Sequence, residues 1–143
     1  MKRAQRQILL HGLIVLLVGV LCGVPYGQAL THGWGAEAVR AWRLAHFSLV
    51  FGGVWLLAVA GVSHLLVLGR RGARILVVSA VTSGYAFMLA LIVAAMAGVR
   101  GIEATGPAAN LVAFAGNTVA SVSSVVWVVV SISGAIKALR EGD

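Results

Sequence analysis

The sequence predicts an all-α fold: an integral membrane four-helix bundle, with antiparallel up-down neighbours, forming a single transmembrane domain over residues 1–143. Three observations predict it. Of the 143 residues, 60% are hydrophobic and only 10% are charged, whereas a soluble domain carries about a quarter charged residues. Mean hydropathy is +0.99. Four apolar runs, at about 7–29, 44–68, 75–98 and 108–136, each reach the roughly 20 residues that a helix needs to cross a bilayer.

This composition excludes an ordinary soluble enzyme, a disordered tail and a nucleic-acid-binding module. The net charge of +7 does not restore the last, because the basic residues stand at the ends of the apolar runs. The lipid bilayer is therefore the expected partner, and no nucleic acid is expected. Cys22 is the only cysteine, which excludes an intrachain disulfide framework or a cysteine metal knuckle.

The first run begins after Lys2, Arg3 and Arg6 and carries Gly12, Gly19, Gly23 and Gly27. The last three repeat every four residues, a stripe that lets another backbone approach closely. A signal-peptide reading is set aside, because the apolar stretch exceeds a signal core and cleavage would reverse the topology. Thr31, His32, Gly33, Trp34, Gly35 and Glu37 break the chain before the second run, and Gly69-Arg70-Arg71-Gly72 breaks it before the third. Arg100-Gly101-Ile102-Glu103 and Thr105-Gly106-Pro107 precede the fourth, where Pro107 suits a helix start. The fourth run is rich in small residues: Gly116, Ser121, Ser123, Ser124, Ser131, Ser133 and Gly134.

Short connections make sequential helices antiparallel. Lys2, Arg3, Arg6, Arg70, Arg71, Arg74, Lys137 and Arg140 fall on one side, against Arg40, Arg43 and Arg100 on the other. Basic loops stay inside, so both termini are expected in the cytoplasm, flanking a bacterial-type inner membrane. A bundle this thin leaves little interior for a site, which favours a homo-oligomer.

No Asp or Glu lies inside a span, so neither transport through a buried carboxylate nor a nucleophile–base–acid set is expected. The histidines carry the information. His46 lies about one turn inside the second span, and His64 follows 18 residues later, about 27 Å along the same helix face. That is too far for one ion or one haem. Near a span end the ordinary role of a histidine is an interfacial hydrogen bond, and His11, His32 and His64 are read that way. His46 is different. Arg43 stands three residues earlier on nearly the same face, and Arg40 and Arg100 lie on the same side of the membrane. An imidazole in the apolar region below guanidinium groups is what haem needs: an axial nitrogen, and cations for its propionates. Tyr85 and Asn117 are deep polar groups, read either as interhelical hydrogen bonds or as parts of a substrate pocket. Tyr26, Trp34 and Trp42 are read as interface anchors, and Trp55 and Trp127 as packing residues.

Beyond these patterns, the chain resembles a known family. The matching residues are Gln7-Ile8-Leu9-Leu10-His11-Gly12, Trp42-Arg43-Leu44-Ala45-His46, Ala73-Arg74-Ile75-Leu76, Arg100-Gly101-Ile102 and Thr105-Gly106-Pro107. This order is similar to that of the small four-helix membrane family of styrene oxide isomerase and hydroxylaminobenzene mutase. The resemblance implies a homotrimer with haem b between subunits, ligated by His46, whose ferric iron acts as a Lewis acid on an epoxide oxygen. A 1,2-hydride shift then gives an aldehyde; the mutase converts an aryl hydroxylamine to an aminophenol. The sequence departs from the family where Gly52-Gly53 replaces an Asn-Gly pair and where Leu91 stands in place of a tyrosine on the third helix.

The expected function is therefore a membrane haem-b isomerase or mutase acting on a small apolar substrate from the lipid phase. His46 is the expected metal ligand, with Arg43 and Arg100 binding the cofactor and Tyr85 and Asn117 in the catalytic site. The alternatives are a haem electron carrier or sensor, and a cofactor-free protein that packs against a membrane complex.

Overall fold

The computed structural model describes residues 2–141. It contains α1 (Lys2–Leu21), α2 (Gly23–Thr31), α3 (Ala36–Val62), α4 (Arg70–Ala97) and α5 (Ala108–Glu141), with a 3₁₀ turn at Ser63–Leu65. There is no strand among the described residues. Among the described residues, four stretches are long and apolar enough to cross a membrane: Lys2–Thr31, Ala36–Leu65, Arg70–Ala97 and Ala108–Glu141. The four expected spans are all present, so the chain is an all-α, multi-pass membrane protein.

Most helices extend beyond the apolar runs. α3 starts at Ala36 rather than 44, α4 at Arg70 rather than 75, and α5 ends at Glu141 rather than 136. Hydropathy registers only the part in hydrocarbon, whereas backbone hydrogen bonding continues into the headgroup zone. The first span is interrupted at Cys22. Pro25 has no N–H to offer the Leu21 carbonyl, and its ring crowds that turn. α3 is entered through Gly35 at φ 90°, a conformation that glycine adopts without strain.

Packing is uneven, and that places the site. α1 lies tightly along α3, α5 lies along α4, and α4 joins the two pairs. Glycines allow the first contact. A Cβ added at Gly19 would stand 2.6 Å from the Val50 nitrogen, and one at Gly53 would stand 2.6 Å from the Leu16 Cα. Gly12 faces Leu56 in the same way. On the other pair, Gly116 lies against Ala90, and the hydroxyls of Ser83 and Ser124 meet at 2.7 Å. α5 approaches the α3 segment only at the 3₁₀ turn, which leaves a cleft between α3 and α5 with α4 as its floor.

Candidate functional site

His46 is half-buried on the face of α3 that meets α1 and α2. Its Nδ1 lies 2.8 Å from the Gly19 carbonyl oxygen. A carbonyl only accepts, so Nδ1 carries the proton, and in the neutral ring Nε2 presents a lone pair. Gly19 sits in the last turn of α1, where helix carbonyls are the ones available to side-chain donors. Gly23 leaves room for the ring: a Cβ there would come within 3.2 Å of it. Tyr26 stacks on the imidazole, with centroids 6.1 Å apart and planes at 22°. Phe47 meets it edge-on at 5.0 Å. From sequence alone Tyr26 reads as an interface anchor and the glycines as backbone contacts. Only the spacing of Gly19, Gly23 and Tyr26 opposite a histidine could have signalled this slot.

A metal-ligating histidine characteristically donates its second nitrogen to a carbonyl or carboxylate, which fixes the tautomer and makes the ligating nitrogen more basic. His46 has that arrangement. Phe47, which touches the ring, is exposed, as are Val20 and Val24 next in sequence to Gly19 and Gly23, and Arg43 is exposed one turn before the ring. Among the described residues no three His, Cys, Asp or Glu side chains gather in a metal-binding group. A group that needs one protein ligand, with the rest from a macrocycle, fits these residues; a bare ion does not. Haem is such a group.

The other expected site residues are dispersed. Arg100 does not meet His46: it lies on the α4 side of α3, 3.6 Å from Glu37, which also pairs with Arg40 at 2.7 Å. The Tyr85 hydroxyl lies 3.0 Å from His11 Nδ1, with the two rings edge to face, which ties α4 to α1. Asn117 donates to the Gly101 carbonyl at 3.0 Å and so anchors the loop before α5. Both have interhelical or loop partners, the other reading open to them, and Asn117 also faces a cavity. His32 sits 3.2 Å from the Gln28 carbonyl and His64 2.7 Å from the Gly61 carbonyl, each held locally. The α-helical register linking His46 to His64 ends at Val62.

The α3–α5 cleft holds an apolar groove of about 820 Å³, walled by Phe47, Phe51, Trp55, Phe87 and Trp127, with Ser83 and Ser124 among its lining residues. Trp55 is deep in its span, as expected, yet it is 63% exposed and faces this groove rather than packing inward. Phe47 touches His46 on one side and lines the groove on the other. Ser48 and Phe87 are shared with an adjoining cavity of about 370 Å³, whose walls include Leu91, Arg40, Arg100 and Asn117.

The profile of a family described as styrene oxide isomerase matches residues 4–136 of this chain. The chain belongs to the styrene oxide isomerase family. It is thus an isomerase-like, multi-pass membrane protein, as the motif order around His11 and His46 implied. No curated protein and no solved structure gives a significant match. Gly52 lines the larger groove of this isomerase-family chain, and Leu91 lines the adjoining cavity.

Proposed function

We propose that this chain is a haem-b isomerase or mutase of the inner membrane that rearranges a small apolar, oxygen-bearing compound taken from the lipid. The substrate would be an epoxide giving an aldehyde, or an aryl hydroxylamine giving an aminophenol. The observation that supports it most is the 2.8 Å contact between His46 Nδ1 and the Gly19 carbonyl, which leaves Nε2 free to ligate. Bound there, haem iron would supply the electrophile that polarises the substrate oxygen, a capacity that this chain's own side chains lack.

The residues then have separable tasks. His46 holds the cofactor, Tyr26 and Phe47 fix the ring plane, and Arg43 is placed to meet a propionate. The groove wall of Phe47, Phe51, Trp55 and Phe87 binds an apolar body and excludes water. Asn117 stays a candidate for orienting the substrate, while Tyr85 bonds His11 and ties α4 to α1. The rearrangement is intramolecular, so it needs no external oxidant or reductant. The exposed flank around His46 accords with a homotrimer holding haem between subunits, and the basic residues at both termini accord with a cytoplasmic placement of each.

The test is to incubate purified, haem-loaded protein with aryl epoxides and aryl hydroxylamines and to separate the products by chromatography. An isomer of unchanged mass, formed without added reductant, is expected. Haem-loaded protein that converts neither class would overturn the reading.

A further inference from the structure

The two cavities on the α4 side of α3 continue one another, and their ends differ in chemistry. The smaller opens at Arg40 and Arg100 and continues past Leu44, Ser48, Phe87 and Leu91. The larger continues from Ser48 and Phe87 to Phe51, Gly52, Trp55 and Trp127. No acidic residue lines either. From Arg40 to Trp55 is 15 residues of α3, about 22 Å at the helical rise. The space is therefore long, apolar and cationic at one end only.

We infer that this channel binds a long-chain carboxylate, with its head at Arg40 and Arg100 and its chain along α3 toward Trp55. Length argues against a compact aromatic filling the whole channel. Charge argues for an anionic head: two guanidiniums face one carboxylate, Glu37, leaving a single positive charge at the mouth. A carboxylate balances that charge and accepts the planar guanidinium fork. The existing partner is easily exchanged, since the Arg100–Glu37 pair spans 3.6 Å with both side chains mostly exposed, and such pairs contribute little. The inference does not depend on haem at His46; a carboxylate chain bound here occupies the groove that the proposed substrate would use, so the two compete for it.

The experiment is scintillation-proximity binding of tritiated palmitate to the purified protein in a maltoside detergent. Saturable binding is expected, with hexadecanol and phosphatidylglycerol competing at least about tenfold more weakly than unlabelled palmitate, a factor of about 1.4 kcal/mol. Exchange of both guanidiniums (Arg40→Gln with Arg100→Gln) should weaken binding by a similar factor, and Glu37→Gln should tighten it by removing the competing carboxylate. Gly52→Trp, which fills a position with no neighbour within 4 Å, should weaken binding without altering the mouth. Arg71→Gln, at the opposite end of the bundle, should leave it unchanged. Hexadecanol competing as well as palmitate would overturn the inference, as would phosphatidylglycerol displacing it at equal concentration. Because the alcohol comparison uses unmodified protein, the inference stays falsifiable even if the double arginine variant fails to fold.

Discussion

His46 on α3 donates from Nδ1 to the carbonyl of Gly19 on α1 at 2.8 Å, and that one bond joins a close helix contact to the proposed cofactor ligand. Backbone approach and ligand orientation are the same feature. Glycine at 19 brings α1 close enough for its carbonyl to reach the ring, and glycine at 23 leaves the ring somewhere to sit.

Gly23→Val is therefore expected to displace the imidazole and weaken haem retention at least about tenfold, the range seen when the orientation of a metal ligand is lost. Gly27→Ala, at a site with no neighbour within 4 Å, should leave retention unchanged. It should also stabilise the helix by about 0.5–1 kcal/mol. Haem titration and thermal unfolding in detergent read the two effects separately.

Gly53→Leu acts first on packing. Its Cβ would lie 2.6 Å from the Leu16 backbone, so the helices must separate, at a cost of about 1–3 kcal/mol. A lower Tm by fluorescence-detected size-exclusion chromatography after heating is the expected result.

The Tyr85 hydroxyl bonds His11 at 3.0 Å and lines none of the cavities described. Tyr85→Phe should lower stability by about 0.6 kcal/mol, the average for a hydrogen bond between membrane helices, while turnover stays near that of the parent. A large loss of turnover at unchanged stability would instead place the hydroxyl in the catalytic site.

Asn110 accepts from the Gly101 nitrogen and donates to the Glu103 and Thr105 carbonyls, so one side chain orders the loop before α5. Asn110→Ala should expose that loop to limited proteolysis well before any other connection is cut. It should also release Gly101, whose carbonyl holds Asn117.

The four spans were legible because each is a long apolar run broken by glycine and charge, and hydrocarbon admits little else. Their ends were less so, since Ala36–Arg43 forms helix outside the apolar core and carries polar residues that hydropathy counts as loop. His46 stood out through its depth and the neighbouring arginine. Its tautomer did not, because that depends on the register of α1 against α3, which no local pattern encodes. Arg100 looked equivalent to Arg43 from its side of the membrane, yet the loop after α4 carries it to Glu37 at the start of α3 rather than to His46. The groove was invisible for a similar reason: it exists because α5 follows α4 rather than closing on α3, and each of those helices reads equally well as packed.

The most direct measurement is the absorption spectrum of the detergent-purified protein, as isolated and after dithionite, beside His46→Ala. A Soret band that shifts on reduction and is absent from a folded His46→Ala is the predicted result. A band of full intensity in that variant, or none in the parent even after hemin is added, would contradict haem ligation by His46.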